Sequence, residues 1–103
     1  MSDDKFDAIV VGAGVAGSVA ALVMARAGLD VLVIERGDSA GCKNMTGGRL
    51  YAHTLEAIIP GFAVSAPVER KVTRETSSFL TEESAVTLDL HREQPDVPPP
   101  ASY

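Results

Sequence analysis

Two apolar runs joined through a glycine-spaced turn and a helix constrain this chain more than any other feature. The stretch DAIVVGAGVAGSVAALVMARAGLDVLVIER, from Asp7 to Arg36, reads as strand, turn, helix and second strand in one unit. Phe6 to Val11 is predicted as a buried parallel strand, and the helix is predicted to run to Ala27. Gly28 falls where a helix ends in the left-handed conformation, and Val31 to Ile34 reads as a second buried strand.

The order Gly12, Gly14, Gly17 gives each glycine its own task. Gly12 lets the strand turn sharply into the helix, Gly14 lets the backbone approach a pyrophosphate, and Gly17 lets the helix lie close on the sheet. The helix amino end, with its unpaired N–H groups and positive macrodipole, then accepts an anion without a cationic side chain. Glu35 closes the second strand about 20 residues beyond the glycines, where a dinucleotide fold places an acid to accept hydrogen bonds from a ribose.

From Ala8 through Ala25 no charged residue appears, which imitates a membrane span or a signal segment. Both are rejected: three glycines interrupt the run, Asp3 and Asp4 stand where a signal peptide is basic, and no cleavage site follows cleanly. The helix is apolar nearly all round (Val15, Val19, Ala20, Leu22, Val23, Met24), as expected of a helix wedged between a sheet and other layers. With 103 residues the chain is at most one small domain, and its 46% hydrophobic content suits a folded one. A formal net charge of -5 argues against nucleic acid or an anionic membrane surface as the main partner.

After Arg36 comes GDSAGCKNMTGGRL, a long polar loop of the kind that is usually functional or disordered, and the first reading fits better. Gly47 and Gly48 permit backbone conformations closed to other residues, and Lys43 and Arg49 bring positive charge back toward a phosphate-bearing ligand. A solvated surface loop is the plain alternative. Ala52 to Ile59 is predicted as a short helix with Leu55, Ile58 and Ile59 on one face, ended by Pro60 and Gly61. Beyond Pro67 the period changes to two. Val72 to Leu80 and Ala85 to Leu90 read as strands, Thr81 to Ser84 as their turn, and Val86, Leu88 and Leu90 share one face. Such a hairpin needs another layer to cover its apolar face. The tail QPDVPPPASY is proline-rich and excludes a central strand.

No catalytic or metal-binding set emerges from the residues. Cys42 has no second cysteine, so it reads as a plain loop cysteine and excludes an internal disulfide. His53 and His91 lack metal-ligand spacing, Ser18 lacks a nucleophile context, and Glu82 and Glu83 read as a solvated turn.

The runs VVGAGVAGSVAALVMARAG, VLVIERG and CKNMTGGRLY resemble the amino-terminal part of FAD-dependent oxidoreductases of the electron transfer flavoprotein-quinone oxidoreductase type, and most closely its FixC branch. The likeness extends to about Asp96. It implies an α/β fold class: an amino-terminal Rossmann-like βαβ FAD-binding unit followed by a β-hairpin, an incomplete portion of a larger FAD/NAD(P)-binding fold. The organisation expected is a dinucleotide-binding βαβ unit with its flavin-side loop and short helix over residues 1–61, a hairpin segment over 62–92 and a proline-rich tail over 93–103.

By the same resemblance Gly12, Ala13, Gly14, Val15, Ala16 and Gly17 would wrap the FAD pyrophosphate and Glu35 would hold the adenosine ribose. Arg36 would flank that adenosine, and Lys43, Gly47, Gly48 and Arg49 would lie along the flavin side. In the family, electrons pass from an electron transfer flavoprotein to FAD and on to a quinone or a ferredoxin-like protein, with anaerobic carnitine reduction as one route. Family members are several times longer, so the chain is expected to be a truncated remnant or a fragment, cytoplasmic or peripheral to the inner membrane, too short for catalysis alone. An iron–sulfur cluster, needing about four cysteine ligands, is excluded within this chain. An NAD-dependent dehydrogenase fragment and a non-functional remnant are the alternatives, since Glu35 would serve an NAD ribose equally well.

Overall fold

The computed structural model describes residues 5–92 and 102–103. The chain divides into two compact units, Met1–Gly47 and Gly48–Tyr103. The short helix falls in the second unit with the hairpin, whereas the sequence pattern grouped it with the first. Most of the proline-rich tail, residues 93–101, lies outside the described residues.

The first unit is a βαβ arrangement: β1 (Ala8–Val11), α1 (Val15–Arg26) and β2 (Val31–Ile34). The strands pair in parallel, with Ala8 opposite Val31 and Val11 opposite Ile34. Two bonds tie the entrances of the strands, from the Asp7 N–H to the Asp30 carbonyl (2.8 Å) and from the Asp30 N–H to the Asp7 carboxylate (2.8 Å). At their carboxyl ends the Gly12 N–H donates to the Ile34 carbonyl at 2.7 Å. α1 ends as expected, on Gly28 at φ +86° with Gly28 N–H bonded to the Ala25 carbonyl.

The expectation that both strands and the helix are buried is corrected. Along β1 half-buried and exposed residues alternate: Val10 lies under α1, while Ile9 and Val11 on the other face are 60% and 80% exposed. Val15 and Val23 of α1 and Val33 and Ile34 of β2 are exposed as well. A doubly wound sheet buries such residues between two helical layers; among the described residues of this unit only α1 packs on the sheet, on one face.

The second unit contains α2 (Ala52–Ile58), a 3-10 turn (Phe62–Val64), β3 (Arg74–Leu80) and β4 (Ala85–His91). The Glu56 carboxylate accepts the Gly61 N–H at 2.7 Å, fixing the chain where Pro60 ends the helix. Phe62, 4% exposed, meets the Tyr103 ring edge-on at 5.9 Å between centroids. Tyr103 exchanges both main-chain bonds with Leu50 (2.7 and 2.9 Å), and Ser102 beside it is fully buried.

β3 and β4 form the expected antiparallel hairpin, from Arg74 opposite His91 to Leu80 opposite Ala85. Its turn is closed by the Thr81 N–H on the Ser84 carbonyl (2.8 Å) and by the two hydroxyls on each other (2.7 Å). The register makes the hairpin two-faced. Phe79, Val86, Leu88 and Leu90 share one face and are all exposed. The opposite face carries Arg74 paired with Asp89 and Ser78 bonded to Thr87 at 2.9 Å.

Candidate dinucleotide site

The three glycines of the turn separate cleanly by what their own surroundings demand. Gly12 adopts φ +101°, a conformation that L side chains rarely take. Gly17 sits where a Cβ would fall inside the van der Waals envelope of the Gly12 carbonyl oxygen and 3.2 Å from Val10 Cγ1. Gly14 has neither reason. Its φ is −77°, and a Cβ there would meet only Asn44 Oδ1 at an ordinary 3.7 Å. Nothing in the protein itself asks for glycine at this position.

Gly14 is also the N-cap of α1. It offers no side chain to the free N–H groups of the first turn, and that turn contains no acidic residue. The helix amino end is therefore left as a set of donors with a positive dipole end, which suits an anionic group. Beside it lies a recess of about 550 Å³ lined by Val11, Gly12, Ile34, Glu35, Arg36 and Lys43, of the size that takes a small ligand. Two apolar side chains, an acid and two cations thus face one space.

Glu35 is placed at the carboxyl end of β2 by the register of the sheet and bonds two main-chain donors. Its Oε2 accepts the Ala13 N–H at 2.8 Å and its Oε1 accepts the Gly37 N–H at 2.7 Å. The Gly37 and Ala13 donors, in that order of weight, hold its carboxyl below the usual glutamate value, so it is ionised at neutral pH.

The structure thus brings together Gly12 to Gly17, Glu35, Arg36 and Lys43. Gly48 and Arg49 fall in the second unit. Arg49 donates from Nε to the buried Ser102 Oγ (2.8 Å), pairs with Glu75 (2.7 Å) and lies over the Tyr51 ring at 4.9 Å. Gly47 and Gly48 do not use a positive φ, and a Cβ on either would meet nothing, so the special backbone expected of them is absent; Gly41, at φ +74°, takes that part in the loop. Cys42 is an exposed free thiol. Among the described residues no cluster of three or more His, Cys, Asp or Glu could hold a metal ion, and no helix is long and apolar enough to cross a membrane.

Two contributors escaped the sequence pattern. Gly37 supplies the second bond to Glu35, a short-range contact that a Glu-x-Gly spacing could have suggested. Asn44, whose side chain is the nearest neighbour of Gly14, carries no signal in sequence because the loop alone brings it there.

A dinucleotide-binding turn of this form is common to several classes, and comparison with known proteins narrows it. The family model described as FAD dependent oxidoreductase matches residues 7–95, and the chain belongs to that family. Over all 103 residues it is 95% identical to the probable electron transfer flavoprotein-quinone oxidoreductase YdiS of Escherichia coli strain K12, and 66% identical to protein FixC of the same strain. A third relative, the probable electron transfer flavoprotein-quinone oxidoreductase YgcN of that strain, is 48% identical over 85 residues, which are 82% of this chain and 20% of that protein. The matches to YdiS and FixC are to their amino-terminal parts, and each spans 24% of the relative's length.

Proposed function

We propose that this chain binds the adenosine diphosphate half of FAD and forms the cofactor-binding part of a flavoprotein oxidoreductase. The observation that carries the reading is Gly14: a glycine with no conformational or packing cause within the protein, at the amino end of a helix with no side-chain cap. An incoming pyrophosphate supplies the missing cause, because only a residue without Cβ admits it to the backbone. Gly12, Ala13, Gly14, Val15, Ala16 and Gly17 form its cradle. Glu35 is positioned for the ribose, since each carboxylate oxygen accepts one bond and keeps capacity for another. Arg36 flanks the adenosine, and Lys43 sets a positive charge in the same recess. Gly47, Gly48 and Arg49 are assigned to the flavin side by the family resemblance alone, and within its own unit Arg49 is engaged by Glu75 and Ser102.

Bound FAD supplies the redox chemistry, while the protein supplies placement and electrostatics. By likeness to its relatives the complete flavoprotein passes electrons between an electron transfer flavoprotein and a quinone or ferredoxin-like acceptor, and anaerobic carnitine reduction is a route that fits the FixC likeness. Equilibrium dialysis of FAD against the purified chain, with ADP and NAD as competitors, tests the binding reading. FAD displaced by ADP more readily than by NAD is the expected result. A folded chain that retains neither FAD nor ADP overturns it.

A further inference from the structure

The glycine turn is held at two points, and both belong to the end of β2. Gly12 donates to the Ile34 carbonyl at 2.7 Å, and Ala13, the next residue, donates to the Glu35 carboxylate at 2.8 Å. The second bond spans 22 residues and precedes Gly14 by one position. The other oxygen of the same carboxylate is fixed by the Gly37 N–H at 2.7 Å. Glu35 is thereby locked between the glycine turn and the loop after β2 without any ligand. The charged side chains that line the recess with it are Arg36 and Lys43, and Lys43 favours its ionised form.

We propose that Glu35 is a positioning residue for the phosphate-binding turn, holding the Ala13 peptide so that the N–H groups from Gly14 onward face the anion, independently of any contact with a ribose. This rests on the dinucleotide reading above. Without the carboxylate, the Ala13 N–H loses its partner and the turn is tied only through Gly12. A charge-assisted bond to a main-chain donor is of the strong class, so its loss disturbs even a ligand that never touches Glu35.

The test compares ADP with 2′,3′-dideoxyadenosine diphosphate, which keeps the phosphates and lacks the diol, on the 103-residue chain and its Glu35→Ala variant, which leaves the Ala13 N–H no side-chain acceptor at position 35. If Glu35 positions the turn, the variant weakens dideoxyadenosine diphosphate by roughly tenfold, the scale of one hydrogen bond to a charged group. If Glu35 only reads the ribose, the variant binds dideoxyadenosine diphosphate as the parent does, and the proposal is overturned. A parent chain that binds neither nucleotide overturns the dinucleotide reading instead.

A second measurement needs no ligand and no variant that must fold. The Ala13 amide proton should follow a single carboxyl titration with a midpoint below that of an ordinary glutamate. An Ala13 amide that does not respond to pH through that range shows that the bond is absent and refutes the positioning role.

Discussion

Replacing Gly17 by alanine should destabilise the first unit, although alanine is the better helix former. The helix-propensity gain is about 1 kcal/mol. Against it stands the approach of α1 to the turn: a Cβ at position 17 would overlap the Gly12 carbonyl oxygen and lie 3.1 Å from its carbon. That oxygen belongs to the Gly12–Ala13 peptide, whose nitrogen donates to the Glu35 carboxylate at 2.8 Å, and the Gly12 N–H before it is held by the Ile34 carbonyl at 2.7 Å, so it cannot swing away as a side-chain atom would. Relief requires α1 to back off both strands by about 1 Å, since carbon atoms prefer separations of about 3.5–4.0 Å. Overpacking of this kind costs about 1–3 kcal/mol, and a backbone collision sits at the upper end. The net loss is therefore about 2 kcal/mol. A unit of 47 residues has a total stability of about 2–7 kcal/mol at the usual stability per residue. Thermal unfolding followed by far-ultraviolet circular dichroism reads the result, with Gly14→Ala as control. That control should lose no more than about 1 kcal/mol, the cost of alanine at an N-cap. A Gly17→Ala chain that melts with the control or above it would refute the close-approach argument and return Gly17 to the ligand's account.

Three further outcomes are expected. Phe62→Ala removes the larger of the two apolar side chains buried among the described residues of the second unit and should cost about 3 kcal/mol, seen as loss of the Tyr103 ring environment in near-ultraviolet circular dichroism. The Asp89 carboxyl is held below its ordinary value chiefly by the Arg74 guanidinium. Its contribution to the hairpin is present above the ordinary aspartate value and lost as pH falls through the lowered one, so Asp89→Asn should flatten the acid limb of hairpin unfolding followed by amide exchange. Phe79→Thr and Leu88→Thr, on the exposed apolar face of β3 and β4, should reduce self-association in analytical ultracentrifugation while shifting the unfolding midpoint little.

What could be read from the residues divides along a physical line. The βαβ unit was legible because its signals are local: apolar runs too short for helices, a glycine order that only a tight turn uses, and Gly28 ending α1. The hairpin was legible because period two survives in Val86, Leu88 and Leu90 even where the face is uncovered. Burial was not legible. Ile9 and Val11 have the composition of a strand buried on both faces, and that composition does not record whether this chain carries the second layer. The Phe62–Val64 turn escaped because three residues hold no period and Pro60–Gly61 dominates the local signal. Within the site, the acid and the glycines were legible by spacing. Their mutual bond was not, because nothing in sequence shows that Glu35 reaches Ala13 across 22 positions. Arg49 reads from its charge as a cation brought back toward a phosphate-bearing ligand, and its partners Glu75 and Ser102 arrive only through folding of the second unit.

The central claim is that a nucleotide's phosphates meet the helix amino end at Gly14. Backbone amide NMR of the 103-residue chain during titration with ADP addresses it most directly. The account expects the Gly14 to Gly17 amides to shift together with Glu35, saturably, and to stop responding in a Gly14→Glu variant that keeps its fold. Amides that stay still as ADP is added, or that move equally in the variant, would contradict it.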